Sequence, residues 1–286
     1  MKYYFQVAKH LFCVHLPDGD NLMSEMGQYT HFIVDEGGDV LFIVRVVTAA
    51  DFPSTEGLKE EMNQDDDGSQ IMAGHVGERP YFEFLLWGKR AARMLTDSNY
   101  HEAVIVLEED RLFGINNALM VMFALATAVH QTALFHSSVV VWQRKAYMFL
   151  GKSGTGKSTH SRLWLQYIKG TALLNDDNPV VRIIDGQAIV FGSPWSGKTP
   201  CYINRHFPLG GIVRLRQAPH NAIRPLRGIE AYAALIPSIS GKRWDKQVAE
   251  GLHETENLLA GQRVWHLDCL PDEAAAQLCC QTITRE

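Results

Sequence analysis

The sequence is poor in cysteine, and this limits the kinds of site that it can build. Its 286 residues include five cysteines, an odd number, scattered along the chain. None of them forms a C-x-x-C pair, so a zinc site and a disulfide framework are both disfavoured. Reduced thiols in a cytoplasmic protein are the simplest interpretation. The five are Cys13, Cys201, Cys269, Cys279 and Cys280.

The sequence also lacks a strong charge of either sign and a long apolar run. Its formal net charge is −5, and no basic stripe with interleaved aromatic residues is visible, which argues against nucleic-acid binding. Residues 1–6 lack the apolar run of a signal peptide. Residues 118–129 are strongly apolar but too few to span a bilayer. They therefore predict a helix buried inside the protein, and no membrane partner is expected.

The sequence does contain a glycine-rich stretch, 151–158, that fits the pattern G-x-x-x-x-G-K-[ST]. A short apolar run, 146–150, precedes it and predicts a strand. Apolar and aromatic residues then recur at helical spacing, so a helix should begin near Gly156. Strand, glycine-rich loop and helix form the context that a phosphate-binding loop requires. The residues of this predicted phosphate loop are Gly151, Lys152, Ser153, Gly154, Thr155, Gly156, Lys157, Ser158 and Thr159.

Each part of the phosphate loop has an expected role with a nucleoside triphosphate. The glycines let backbone N–H groups face the phosphate oxygens, and the N-terminus of the following helix adds partial positive charge. Lys157 would reach the β- and γ-phosphates, and the Ser158 hydroxyl would ligate Mg²⁺. The alternative is a glycine-rich turn with an accidental Lys-Ser pair, and the flanking pattern makes it the weaker explanation. No guanine-reading N-K-x-D motif is visible, so ATP is favoured over GTP.

A pair of carboxylates, Asp176 and Asp177, follows the loop. They end an apolar run that begins at Ala172, so a short strand would present them beside the bound phosphates. One carboxylate can hold the metal, and the other can accept the proton of an attacking hydroxyl. The sequence does not say which carboxylate takes which role. A capping or turn pair is the structural alternative, and the nearby phosphate loop makes it weaker.

Two further side chains are weaker candidates. The stretch 192–200 is a second glycine- and hydroxyl-rich segment, and its Lys198 could place a cation on the transferred phosphate or on the acceptor. A surface turn explains that stretch equally well. Arg205 could neutralise charge in the transition state, although a solvated arginine is equally ordinary.

The pattern of elements predicts two domains. Residues 1–115 predict a small strand-rich N-terminal domain without a chemical signature, including a hairpin at 31–47 and a polar, solvated loop at 54–69. Residues 116–286 predict a nucleotide-binding domain. It would contain a buried helix to about residue 134, a hairpin that leads into the phosphate loop, a second hairpin at 180–191 and a largely helical tail.

In this order and spacing the motifs resemble the HPr kinase/phosphorylase family and, more distantly, the ATP-dependent phosphoenolpyruvate carboxykinases. His136 precedes a valine-rich strand, and then come the phosphate loop, a helix and the Asp pair. The resemblance covers roughly residues 135–215. It implies an α/β fold with a phosphoenolpyruvate carboxykinase-like mixed sheet, ATP and Mg²⁺ as cofactors, and His136 close to Asp176 and Asp177. A satisfied core histidine is an equally good interpretation of His136.

The chain departs from the family in two places. Its N-terminal domain does not resemble that of HPr kinases, and the stretch 204–211 lacks the glutamate that those enzymes carry before a glycine-rich strand. The resemblance therefore implies an ATP- and Mg²⁺-dependent phosphotransferase with a changed acceptor, a hydroxyl on a protein serine or a small molecule. A nucleotide-binding regulatory or scaffold protein and a simple ATPase remain open. Because HPr kinases are oligomeric, a homo-oligomer is implied by the resemblance alone.

Overall fold

A computed structural model describes residues 1–197 and 199–285. They form a mixed α/β protein with two mixed β-sheets of nine strands each. The chain separates into two compact units, Met1–Ala126 and Thr127–Glu286. This division lies eleven residues beyond the predicted boundary at 115/116. The reason is the long apolar helix after that boundary, which packs within the first unit: the Phe123 ring lies edge-on against His10 and Phe12, with centroids 6.0 and 6.3 Å away.

The first unit is a single mixed sheet with two helices. Its helices are α1 Leu22–Glu25 and α2 Arg111–Thr127, and a 3-10 helix spans Gly27–Phe32. Its strands are β1 Lys2–Val7, β2 His10–His15, β3 Ile33–Val34, β4 Phe42–Val47, β5 Lys59–Asp66, β6 Ser69–Val76, β7 Arg79–Leu86, β8 Lys89–Thr96 and β9 Glu102–Leu107. In space the strand order is β3-β1-β2-β4-β9-β8-β7-β6-β5, with β4 parallel to both of its neighbours.

Two expectations for this unit are wrong. Residues 31–47 do not form a hairpin, because β3 pairs with β1 while β4 lies between β2 and β9. Residues 54–69 are not a solvated loop, because β5 pairs with β6 across a tight turn. Asp67 and Gly68 make that turn with φ of 52° and 82°. β5 is a polar edge strand exposed on both faces, so it lacks the apolar alternation by which a strand is recognised.

Helix α2 is the apolar helix that the sequence predicts, although its bounds differ. It ends at Thr127 and is followed by a 3-10 turn, Ala128–His130, and then by a strand. By length and composition the span Arg111–His130 is the one helix of the described chain that could cross a membrane. The length argument made from residues 118–129 is therefore wrong. About 61% of the apolar window of this span is buried inside the protein.

The second unit carries the predicted phosphate loop. Its helices are α3 Lys157–Tyr167, α4 Ile229–Leu235, α5 Lys246–Ala260 and α6 Glu273–Ile283. Its strands are β10 Thr132–Leu134, β11 Ser137–Trp142, β12 Lys145–Leu150, β13 Ala172–Asp177, β14 Val180–Ile184, β15 Gln187–Phe191, β16 His206–Gln217, β17 Ala222–Leu226 and β18 Val264–Cys269. The predicted hairpins β11–β12 and β14–β15 are confirmed. The prediction of a largely helical tail is wrong at β17, which is a strand and pairs with β18.

Strand β12 lies inside the second sheet, antiparallel to β11 on one side and parallel to β16 on the other. Helix α3 packs on it through Trp164, which is fully buried. The indole lies 5.5 Å from the Tyr147 ring and 5.6 Å from the Phe149 ring, both on β12. Burying a large apolar side chain contributes about 1.5–3 kcal/mol. This contact therefore holds together the strand and the helix that the phosphate loop connects.

Candidate functional site

The phosphate loop turns from β12 into α3 on backbone conformations that suit glycine. Gly154 has a φ of 75°, and Gly156, the residue before α3, has a φ of 103°. Side chains with a Cβ rarely adopt such angles. The sequence pattern thus matches a local geometric requirement, and the open N-terminus of α3 directs its first N–H groups into the loop.

Lys157 lies folded against the loop that precedes it. Its Nζ donates hydrogen bonds to the carbonyl oxygens of Gly151 at 3.0 Å and Lys152 at 3.4 Å. Only 9% of the residue is exposed. The loop therefore holds a largely buried ammonium group against its own backbone, where phosphate oxygens would meet both a cation and the helix N-terminus.

The Asp pair lies at the same edge of the sheet as the phosphate loop, and the strand register shows this. Ser137 pairs with Leu150 on one side and with Asp177 on the other. Strand β11 is antiparallel to both neighbours, so β12 and β13 run in one direction and end at one edge. Adjacent strands lie about 4.8 Å apart, which puts the end of β13 about 10 Å from the end of β12.

Asp176 shares a sheet face with helix α3. It pairs with Ser138, and the Ser138 hydroxyl lies 2.5 Å from that of Ser161 on α3. Residues directly opposite in an antiparallel pair project to the same face. Ser158 is one turn before Ser161 and lies on the same side of the helix. A carboxylate that is 6% exposed and a serine hydroxyl therefore face one region beside the loop.

This donor set fits Mg²⁺, because hydroxyl and carboxylate oxygens are the hard ligands that the ion prefers. Within residues 1–197 and 199–285 there is no group of three or more His, Cys, Asp or Glu side chains arranged to hold a metal. Mg²⁺ does not need such a cage, since proteins hold it through one or two carboxylates together with substrate phosphates and water. Ser158 and Asp176 are the residues that would hold it.

Asp177 projects to the other face and is half-exposed. The His136 Nε2 atom lies 3.3 Å from its Oδ1, and the Asn178 side-chain amide donates to its Oδ2 at 2.8 Å. The structure thus brings together the histidine and the carboxylate that the family resemblance associates. A carboxylate held by two neighbours and open to solvent is suitably placed to accept a proton.

The second glycine-rich stretch also reaches the Asp pair. Ser196 forms an isolated bridge with Asp177, and the Gly197 N–H donates to the Asp176 carbonyl at 2.9 Å. A Cβ added to Gly197 would lie 3.1 Å from both Cβ and Cγ of Asp177. The chain must therefore pass very close to the carboxylate here. Lys198, the predicted cation of this stretch, lies outside the described residues.

Arg205 makes a different contact from the predicted one. Its guanidinium lies over the Phe207 ring, 5.2 Å from the centroid, and its carbonyl accepts a hydrogen bond from the Gly192 N–H at 3.0 Å. The residue is exposed. This contact with an aromatic ring is typical of a surface arginine, and none of the described contacts joins Arg205 to the Asp pair.

Cys201 lies near Asp176, but its thiol is not activated as a nucleophile. Burial, with a smaller contribution from the Asp176 charge, raises the pKa of the Cys201 thiol to about 11. The thiolate is the reactive form of cysteine. At neutral pH this side chain is a protonated thiol within the packing around the site.

On the far side of the phosphate loop lies a feature that the sequence reasoning missed, a cavity of about 750 Å³. Arg214 and Arg216 lie two residues apart on β16, so they project to the same face of the sheet. This spacing is the sequence signal that points to a basic surface beside the loop. The cavity is lined by Gly151, Lys152, Ser153, Gly154, Thr155, Arg214, Leu215, Arg216, Gln217, Arg224, Leu226, Glu230, Ala233 and His266.

Comparison with known proteins gives a weak structural similarity and no match by sequence. No protein-family model matches the chain, and no curated protein matches it. Among solved structures, the chain is similar to the Hpr(Ser) kinase/phosphatase from Coxiella burnetii, at 13% sequence identity and a TM-score of 0.31. The match covers 52% of this chain and 93% of the other. At that TM-score the similarity carries no argument, so the proposals below depend on the geometry of this chain.

Proposed function

We propose that the chain is an ATP- and Mg²⁺-dependent phosphotransferase that phosphorylates a hydroxyl, on a protein serine or on a small molecule. One observation carries the proposal. Ser137 pairs with both Leu150 and Asp177, so two carboxylates lie one strand away from a glycine-rich loop with a lysine. A nucleotide-binding module without transfer needs a metal ligand, but it does not need a second, half-exposed carboxylate beside it.

In this proposal the two carboxylates take separate roles because they project to opposite faces. Asp176, on the sheet face toward α3, would hold the metal together with Ser158. Bound there, Mg²⁺ would supply charge neutralisation for the β- and γ-phosphates. Lys157 and the loop N–H groups bind and orient the phosphates. Asp177 is the general base, and His136, 3.3 Å from its Oδ1, orients it.

The transfer step uses these groups as follows. The acceptor oxygen forms a bond to the γ-phosphorus, while the bond from that phosphorus to the β–γ bridging oxygen breaks. The hydroxyl proton passes to the Asp177 carboxylate, and the products are ADP and a phosphate ester. Catalysis here is mostly positioning and charge neutralisation, with base catalysis worth about 10²- to 10⁴-fold.

The same geometry supports a finer proposal for the fold. An antiparallel hairpin, β11–β12, leads directly into the phosphate loop, whereas alternating strand–helix folds lead into it from a crossover helix. We propose that the second unit is a phosphoenolpyruvate carboxykinase-like, HPr-kinase-like nucleotide-binding domain. We also propose that the protein acts in the cytoplasm, where free thiols such as those of its five cysteines are usual. The strand-rich first unit has no assigned part in the transfer.

The test is transfer of labelled phosphate from γ-labelled ATP with Mg²⁺. It would use lysate proteins and a panel of hydroxylated metabolites as acceptors, with Lys157→Ala as the control variant. A labelled acceptor that is lost in the control supports the proposal. ATP binding without any labelled acceptor would instead indicate a regulatory module, and release of free phosphate alone would indicate an ATPase.

A further inference from the structure

The 750 Å³ cavity lies on the side of the phosphate loop away from the Asp pair, next to strand β16. Strand β12 has two neighbours: β11, which leads across to β13 and the carboxylates, and β16. Leu150 pairs with Ser137 on the first side and with Arg214 on the second. The cavity is lined by the loop itself and by the carboxyl end of β16. The loop is therefore flanked by carboxylates on one side and by this cavity on the other.

A nucleotide bound in the loop has a fixed polarity relative to these two sides. In phosphate-loop enzymes the β- and γ-phosphates of the bound nucleotide contact the metal, and the loop serine and a carboxylate would hold that metal. With Ser158 and Asp176 in those roles, the γ-phosphate end points toward β13. The α-phosphate and the nucleoside then leave on the β16 side, into the cavity. This step rests on the proposed function.

The walls of the cavity suit a ribose and a base. The Arg216 guanidinium makes two hydrogen bonds to Asp268, at 2.5 and 2.8 Å, and that of Arg224 makes two to Glu230, both at 3.0 Å. Bidentate pairs of this kind hold a guanidinium plane in one orientation. Oriented planes can stack on a flat ring, and the Glu230 carboxylate, which lines the cavity beside Arg224, retains acceptor capacity for hydroxyl groups.

The cavity also has an apolar part and enough room. Leu226 and Ala233 line it, and Ala233 is exposed on the surface of α4. A volume of about 750 Å³ falls within the usual range of small-molecule sites, about 300–1,000 Å³. Gln217 joins this wall to the loop, since its side-chain amide donates to the Gly154 carbonyl at 3.1 Å. We propose that this cavity is the nucleoside subsite, where the ribose and base of the nucleotide bind.

The test compares two probes that differ only in the nucleoside: ATP and inorganic tripolyphosphate, each with Mg²⁺, measured by calorimetry. The variant is Ala233→Phe, which fills the cavity from an exposed helix position and removes no charge. Its matched control is Ala274→Phe, at an exposed position of α6 that is not part of the cavity lining. Melting temperatures of both variants establish that the fold is kept.

In the wild type we expect ATP to bind more tightly than tripolyphosphate. In Ala233→Phe, ATP affinity should fall about ten-fold or more while tripolyphosphate affinity stays within about two-fold, and Ala274→Phe should change neither. The subsite is refuted if Ala233→Phe leaves ATP affinity unchanged, weakens both probes equally, or if the wild type does not distinguish the probes. A wild type that binds neither probe would instead overturn the proposed function itself, and the subsite with it.

Discussion

The sharpest quantitative prediction concerns His160, which is buried in the helix that follows the phosphate loop. It is 2% exposed, and its Nε2 accepts a hydrogen bond from the Trp164 indole at 3.2 Å. The Phe149 ring lies edge-on to it, with centroids 4.7 Å apart. Its Nδ1 is buried without a hydrogen-bond partner among the described residues. Burial lowers the pKa of His160 from 6.5 to about 4.

The effect on stability follows from proton linkage. Between pH 6.5 and about 4, His160 is protonated in the unfolded chain and neutral in the folded one, so the unfolded state binds more protons. The contribution of His160 to the free energy of unfolding is therefore fully present above pH 6.5 and is lost as the pH falls toward 4. The full difference of about 2.5 in pKa corresponds to about 3 kcal/mol. Between pH 7.5 and 5 the loss from this group should be about 2 kcal/mol.

The assay is urea unfolding of the wild type and of His160→Gln at several pH values. Glutamine does not titrate and still offers Trp164 an acceptor, so the difference in pH dependence between the two proteins isolates the histidine. The wild type should lose about 2 kcal/mol more than the variant between pH 7.5 and 5. Equal losses in both proteins would refute the reasoning and indicate that the imidazole has access to water in the folded chain.

Three further predictions concern the Asp pair and a buried ion pair. Asp177→Asn should lower phosphate transfer by about 10²- to 10⁴-fold and leave ATP affinity, measured by calorimetry, nearly unchanged; unaltered transfer would contradict the base assignment. Gly197→Val should slow transfer without weakening ATP binding, because its side chain would press on Asp177 and on the Asp176 carbonyl; a wild-type rate would count against that close approach. Arg243→Leu should cost about 3–5 kcal/mol in urea unfolding, since it leaves the fully buried Glu256 carboxylate without its cation; a loss below about 1 kcal/mol would contradict this.

Much of the second unit could be predicted from local pattern, because its signals are local. The apolar runs 146–150 and 172–177 each predict a short strand, and β12 Lys145–Leu150 and β13 Ala172–Asp177 form there. Strand β17 was missed because Arg224 and Pro225 give it a polar, turn-like composition. It forms because β18 supplies a partner across the sheet. Pairing between distant segments is not visible in local pattern.

Part of the candidate site could likewise be predicted from the sequence, and part depends on the packing of distant segments. The order of the phosphate loop, the helix and the Asp pair predicts that these residues lie near one another, because the elements follow one another along the chain. The spacing of Arg214 and Arg216 indicates only that two arginines share one face of a strand. The cavity itself could not be predicted, since Arg214 and Glu230 belong to separate elements that only the packing of β16, β17, β18 and α4 brings together. The facing directions of Asp176 and Asp177 required the strand register, which sequence spacing does not specify.

The double pairing of Ser137 has a consequence for insertions and deletions in this chain. Side chains alternate along a strand, so a residue inserted into β13 ahead of Asp176 would slip its register against β11 and exchange the faces of Asp176 and Asp177. Such a change would keep every predicted motif intact in the sequence and still separate the carboxylate from the hydroxyl of Ser158. The exposed turn at 143–144, at the opposite end of the hairpin, carries no such constraint, and a peptide tag inserted there should be tolerated.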